Sequence, residues 1–209
     1  VIPFGTAVRQ MQERSAAIHY RGENQLIWML EHPNVYTGGT SSKEEHLLQT
    51  GSVPVEKSGR GGSYTFHGPG QRVVYVLLDL RNHGKDIRKF VWNLEEWIIL
   101  SLSDLGIIGE RRPDRIGIWV LKESDVQRQS GSLAQPEYKI ASIGLRVKRW
   151  ISLFGFSINV NPDLSYFDGI IPCGNSGFGV TSLHDLGLTT SLTDLDKILK
   201  RKFDKVFQT

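Results

Sequence analysis

The longest uninterrupted apolar run in this 209-residue chain spans only Val73 to Leu78. A run that short is a buried strand, because a membrane span needs roughly 20 apolar residues, so the chain must fold around an internal core. The run leads into a helical stripe in which Ile87, Phe90, Val91, Leu94, Ile98, Leu102 and Leu105 share one face, with Gly106 placed to cap its C-terminus. Phe4, Val8, Met11 and Ile18 predict an earlier helix that breaks at Arg21-Gly22, followed by a strand from Leu26 to Leu30 that Pro33 ends. Lys43 to Leu48 predicts a short helix and Val53 to Val55 a short extended piece, ahead of a glycine-rich loop from Ser58 to Gln71. Ile116 to Leu121, the alternating Ile140 to Val147, and the series Phe156, Ile158, Val160 predict further strands. Leu195, Ile198, Leu199, Phe203 and Val206 predict a C-terminal helix with Lys200, Arg201, Lys202 and Lys205 on its solvated face. Strands and helices are mixed, so the expectation is an α/β (mixed α+β) chain forming one domain over residues 1–209.

Composition narrows the setting. Lys plus Arg number 25 and Asp plus Glu 22, a net charge of +3 without a long basic block, which suits an acidic protein partner or nucleic acid. The single cysteine excludes an internal disulfide and the Cys pairs of a structural zinc site, and points to a reducing, cytoplasmic setting. The six histidines show no metal-ligand spacing, so no metal is expected. The phosphate-loop, dinucleotide, zinc-peptidase and serine-hydrolase motifs are all missing. The chain begins at Val1, which leaves an upstream targeting segment open.

Two segments carry chemistry. In Arg60-Gly61-Gly62-Ser63-Tyr64-Thr65-Phe66-His67-Gly68-Pro69-Gly70-Gln71, five of twelve positions are Gly or Pro, which gives a bent backbone that a ligand can approach closely. Arg60 and His67 bracket it as polar groups. The second is Ile170-Ile171-Pro172-Cys173-Gly174-Asn175. A lone cysteine is ordinarily a small buried hydrophobe, but Pro172 and Gly174 break helix and central strand on either side and put the thiol on a turn. A thiolate there attacks thioesters once a nearby Lys or His lowers its pKa, and Lys139 opens the alternating strand that follows the polar stretch Lys122 to Glu137.

These segments, with four more in fixed order, resemble the lipoyl(octanoyl) transferase family along nearly the whole chain. The others are His32-Pro33-Asn34-Val35-Tyr36-Thr37-Gly38-Gly39, Gly117-Ile118-Trp119-Val120, Lys139-Ile140-Ala141-Ser142-Ile143-Gly144 and Gly155-Phe156-Ser157-Ile158-Asn159. The resemblance implies the catalytic domain shared with lipoate and biotin protein ligases and no cofactor. It implies that Cys173 carries an acyl thioester and that Lys139 lowers the thiol's pKa and relays its proton. Arg60, Gly61, Gly62, Ser63, Tyr64, Thr65, Phe66 and His67, with Ser142, Ile143, Gly144, Gly155, Phe156 and Ser157, are implied to line the acyl substrate. The implied donor is octanoyl-acyl carrier protein. The implied acceptors are lipoyl domains of 2-oxoacid dehydrogenase complexes and the glycine cleavage H protein, with neither nucleic acid nor membrane as partner. Two other readings compete: an ATP-dependent lipoate or biotin protein ligase, which would not need Cys173, and a non-catalytic carrier-binding module. Three departures from the family pattern stand out. Phe154 occupies a position usually held by His, with His67 the nearest polar substitute; Asn34 replaces a usual Pro; and the Lys122 to Glu137 connection is long.

Overall fold

Val73 to Leu77 folds as expected, as part of the inner strand of a sheet covered on both sides, with Leu78 buried just past its end. The computed structural model describes residues 1–122, 136–171 and 178–207. In chain order its elements are α1 (Phe4–Arg21), β1 (Leu26–Leu30), β2 (Val35–Gly38), β3 (Val55–Lys57), β4 (Tyr64–His67), β5 (Gln71–Leu77) and α2 (Ile87–Ser103). They continue with β6 (Ile118–Leu121), β7 (Glu137–Lys148), β8 (Ile151–Asn159), β9 (Gly179–Val180) and α3 (Leu192–Phe207). The main sheet runs β1-β5-β8-β7-β6 with every neighbour antiparallel, and β9 lies parallel to β7 at Tyr138 and Lys139. A second, three-stranded sheet runs β3-β2-β4.

Side chains alternate across a strand, and β5 shows why its run is continuous. Val74 and Val76 pack with Phe90, Leu94, Trp97 and Ile98 of α2 and Leu195 and Leu199 of α3. Val73, Tyr75 and Leu77 pack on the other side with Phe4, Ala7, Met11 and Ile18 of α1. Antiparallel sheets often leave one face in water; here every residue of β5 and β8 is buried. The Trp97 indole N–H donates to the Leu199 carbonyl at 2.8 Å, tying α2 to α3 while satisfying a buried donor.

Local signals explain the boundaries. Asp86 caps α2 by accepting from the Lys89 N–H at 3.0 Å. At the other end Gly106 has φ 77°, its N–H reaches the Ser103 carbonyl, and the Ile107 N–H reaches that of Leu102. This is a Schellman closure, with Gly106 in the left-handed position that the sequence assigned to it. Helix α1 ends as expected at Gly22, φ 65°.

Several expectations are corrected. Tyr64 to His67, read as part of a loop, is strand β4 and pairs with β2, itself not predicted. The strand read from Phe156 begins at Ile151, where both faces are covered and no alternation marks it. Lys43 to Leu48 yields only a 3-10 turn at Glu44–His46, and Ile87 at the start of α2 is exposed. Lys202 is not on the solvated face: it is buried and its Nζ pairs with Asp104 at 2.6 Å. Most of the Lys122 to Glu137 connection lies outside the described residues.

Candidate active site

Strand β7 brings Lys139 to the site through an irregularity. Its pairing with β6 slips by one residue between Ile118 and Trp119, so Trp119 opposes Lys139 whereas Ile118 opposes Ala141. An extra residue in one strand re-aims its neighbours. Here Ile140 and Ala141 both enter the core beneath α2, while Lys139 lines a cavity of about 640 Å³. Lys139 is 5% exposed, and its Nζ stands 5.0 Å from the centre of the Trp119 ring. Arg115 stacks on Trp119 at 4.6 Å and on Phe178 at 3.8 Å, so two cations share one indole beside the cavity.

The glycine-rich segment forms another wall. Arg60 folds back on β2: its Nη2 donates to the Thr37 carbonyl at 2.7 Å and to Thr37 Oγ1 at 2.9 Å. The Gly61 N–H donates to the Leu145 carbonyl at 2.7 Å, joining this segment to the edge of β7 beyond the end of β6. Gly144 leaves room for the arrangement, because a Cβ there would stand 2.8 Å from Arg60 Cδ. Gly61, Gly62, Ser63, Tyr64, Thr65, His67, Ser142, Ile143, Gly144, Gly155, Phe156 and Ser157 line the cavity together with Arg60 and Lys139. Phe66 does not. Its ring alternates to the other side of β4 and stacks on Tyr166 at 4.6 Å, in an aromatic core with Tyr36 and Phe167. Cys173 lies outside the described residues.

His67 is buried and neutral. Gln71 Nε2 donates to the Phe66 carbonyl at 3.2 Å and to Asn159 Oδ1 at 2.9 Å, so Gln71 Oε1 must accept, and His67 Nδ1 donates to it at 2.6 Å. Burial, reinforced by the nearby His32, lowers the His67 pKa to about 3, and the bond to Gln71 only partly offsets this. His32 is arranged similarly: its Nδ1 meets the Ile2 carbonyl at 2.6 Å and must donate, which leaves Nε2 to accept from the Tyr75 hydroxyl at 2.7 Å. Burial lowers its pKa as well.

The network continues toward Lys139. Asn159 Nδ2 donates to the Thr181 carbonyl at 2.9 Å, and the Thr181 N–H donates to the Lys139 carbonyl at 3.0 Å. Gln71 and Asn159 thus link the glycine-rich segment to the strand that carries Lys139. Both stood inside quoted motifs without an assigned role; their signal was polarity at the ends of otherwise apolar strands. Trp119, Tyr75, Phe4 and Arg115 also line the cavity and were not expected to. Phe154, at the position that departs from the family pattern, lines it too, and its left-handed φ of 63° leaves its N–H facing Met11 Sδ at 3.0 Å. Among the described residues no cluster of three or more His, Cys, Asp or Glu could hold a metal ion, and no helix is long and apolar enough to cross a membrane.

The double-covered sheet with a cavity along β7, β8 and a glycine-rich wall is built from a sequence of a known class: the family model of the lipoyl protein ligase A/B catalytic domain matches residues 7–204, and the chain belongs to that family. Within it, eight curated relatives at 47–49% identity are octanoyltransferases. One from Jannaschia sp. (strain CCS1) is 49% identical over 206 residues, covering 99% of this chain and 94% of the relative. Another from Chelativorans sp. (strain BNC1) is 48% identical over 205 residues, covering 98% and 82%. Among solved structures, the bipartite lipoate protein ligase of Thermoplasma acidophilum superposes with a TM-score of 0.70 at 15% identity, covering 98% of this chain and 80% of that one. At that identity what is shared is the fold.

Proposed function

We propose that this chain, acting as one catalytic domain over residues 1–209, transfers an octanoyl group from an acyl carrier protein to a lysine of a lipoyl domain through a thioester on Cys173. Octanoyl transfer follows from membership in the family beside octanoyltransferases that align with nearly the whole chain. The observation that carries the rest is the burial of Lys139 in a cavity walled by residues of the Arg60–His67 segment and of strands β7 and β8. A buried ammonium stabilises a thiolate and can exchange its proton during attack and departure. The Cys173 thiolate attacks the octanoyl thioester, an S-octanoyl bond forms, and the carrier's thiol leaves with a proton from Lys139. The amine of the acceptor lysine then attacks the octanoyl-enzyme, forming an amide and returning the thiol.

A tetrahedral oxyanion needs preorganised donors. The Leu145 carbonyl points off β7 toward Gly61, and strand alternation puts the Ile143 amide on that same edge, whereas Ser142 and Gly144 face β8. Ile143 is therefore our candidate donor within the 142–144 segment. The amide product is more stable than the thioester, so no ATP is required. Lipoyl domains of 2-oxoacid dehydrogenases and the glycine cleavage H protein are the proposed acceptors, in the reducing cytoplasm where a free thiol persists.

The test is the intact mass of the chain after incubation with octanoyl carrier protein, with and without ATP, for wild type and Cys173→Ala. An ATP-independent octanoyl adduct confined to wild type is expected. Turnover that needs ATP and survives the substitution would favour a ligase and falsify the thioester route.

A further inference from the structure

The outer face of α2 beside the cavity mouth carries groups that the chemistry at Lys139 does not use. Ile87, Arg88, Val91 and Trp92 fall on one helical face at spacings of three and four. Val91 and Ile116 line the cavity. Ile87 is 45% exposed, Trp92 50% and Ile116 54%, so an apolar rim stands open to water where the cavity begins. Arg111 holds the rim together: its guanidinium lies 4.4 Å from the Trp92 ring centre and its Nη2 pairs with Glu96 at 2.5 Å. The rim also abuts the catalytic strand pair, because the Gly117 N–H bonds to Glu95 of α2, and Gly117 sits against the Lys139 side chain.

The charges around this rim balance, six carboxylates to six cations, but ion pairing leaves three of the cations over. Glu95 and Glu96 pair with Arg111, Glu110 pairs with Arg112, and Glu137 is shared by Arg112 and Arg115. Asp114 lies 3.5 Å from Arg115 and Asp86 caps the helix. Lys85, Arg88 and Lys89 are exposed, and among the described residues no carboxylate lies within 4.0 Å of them. A cationic cluster beside exposed apolar groups fits an acidic protein surface with an apolar ridge.

We propose that this face, Lys85, Arg88 and Lys89 with Trp92, docks the acidic carrier domain that delivers the acyl thioester. The donor is favoured over the acceptor for two physical reasons. An eight-carbon tail entering the cavity must cross the rim, and Ile116 and Val91 shield it from water on the way. The acceptor instead presents a lysine, which this cluster repels. The inference rests on the acyl-transfer reading above.

The experiment compares two donors, octanoyl carrier protein and the small thioester octanoyl-pantetheine, with wild type, Arg88→Glu/Lys89→Glu, Trp92→Ala and the charge-conserving Arg88→Lys/Lys89→Arg. Charge reversal is expected to raise KM for the carrier about tenfold or more with kcat kept. Transfer from octanoyl-pantetheine should stay within about twofold, Trp92→Ala should raise the carrier KM less, and the charge-conserving variant should behave as wild type. An unchanged carrier KM after charge reversal, while wild type works with both donors, overturns the docking surface alone. So does a rise confined to KM for the lipoyl domain. If wild type transfers from neither donor, the acyl-transfer reading falls, and this inference with it.

Discussion

Lys139 lies across Gly117: a Cβ at Gly117 would stand 2.7 Å from Lys139 Cε and 3.3 Å from its Nζ. The same atom would stand 2.7 Å from the Ala141 carbonyl oxygen, and Gly117 has φ 127°, a conformation open to glycine and strained for other residues. Gly117→Ala should therefore displace the lysine and strain the backbone together, lowering stability by roughly 1–3 kcal/mol. Octanoyl transfer should fall further than the loss of folded protein explains. Thermal unfolding measured beside transfer rate checks this, and wild-type transfer in a folded Gly117→Ala protein would show that the lysine's position is not held there.

Substitution of Lys139 separates its charge from its exchangeable proton. Lys139→Arg keeps the charge and hardly ever gives up a proton, so iodoacetamide should still react with Cys173 readily at neutral pH while octanoyl transfer slows by roughly 10²- to 10⁴-fold. Lys139→Ala should lose both. If Lys139→Ala alkylates with the wild-type pH profile, lysine and thiol are not a pair.

His67 gives a stability prediction with a definite sign. Its pKa in the folded chain is about 3, below the ordinary 6.5. Between those values the unfolded chain binds a proton that the folded chain refuses, so stability rises with pH through this window and is lost as pH falls from about 6.5 toward about 3. One such proton changes stability by up to ~1.4 kcal/mol per pH unit. His67→Asn retains a donor for Gln71 and removes the proton site. Its urea midpoint should fall less steeply than that of wild type between about pH 6 and about pH 4, and equal slopes would show that His67 does not titrate with unfolding.

Asn159 joins two parts of the site through a single amide. Asn159→Ala leaves Gln71 Nε2 one acceptor short and the Thr181 carbonyl without its donor, both in buried surroundings. The expected cost is roughly 1–3 kcal/mol, read as a lower denaturant midpoint. An unchanged midpoint would mean that water replaces the amide and that the link is dispensable.

How much of this was legible in the sequence follows from what each residue's signal depends on. Val73 to Leu78 and the α2 stripe announced themselves because their apolar spacing is local, and Gly106 because a helix closure leaves a mark on one residue. The cavity walls were legible through the resemblance, which named the segments that the fold gathers. Strand β4 was hidden, since the glycines and proline around Tyr64 to His67 argue for a loop while pairing with β2 is decided from 26 or more residues away, as Gly38 and Tyr64 are partners. Phe66 was misassigned for a related reason: contiguity suggested a wall, but strand alternation turns its ring away. Lys202 looked solvated because the partner that draws it inward, Asp104, lies at the far end of another helix.

Gly144 and Gly155 face each other across β7 and β8, and Tyr75 of β5 completes the row. Both glycines line the cavity, which is therefore bounded at this level by bare main chain held in a hydrogen-bonded ladder. Side chains adapt to a guest by changing rotamer, and a ladder cannot. The width of the cavity between these two glycines is thus set when the sheet forms, and only the Tyr75 side chain at the end of the row can change it.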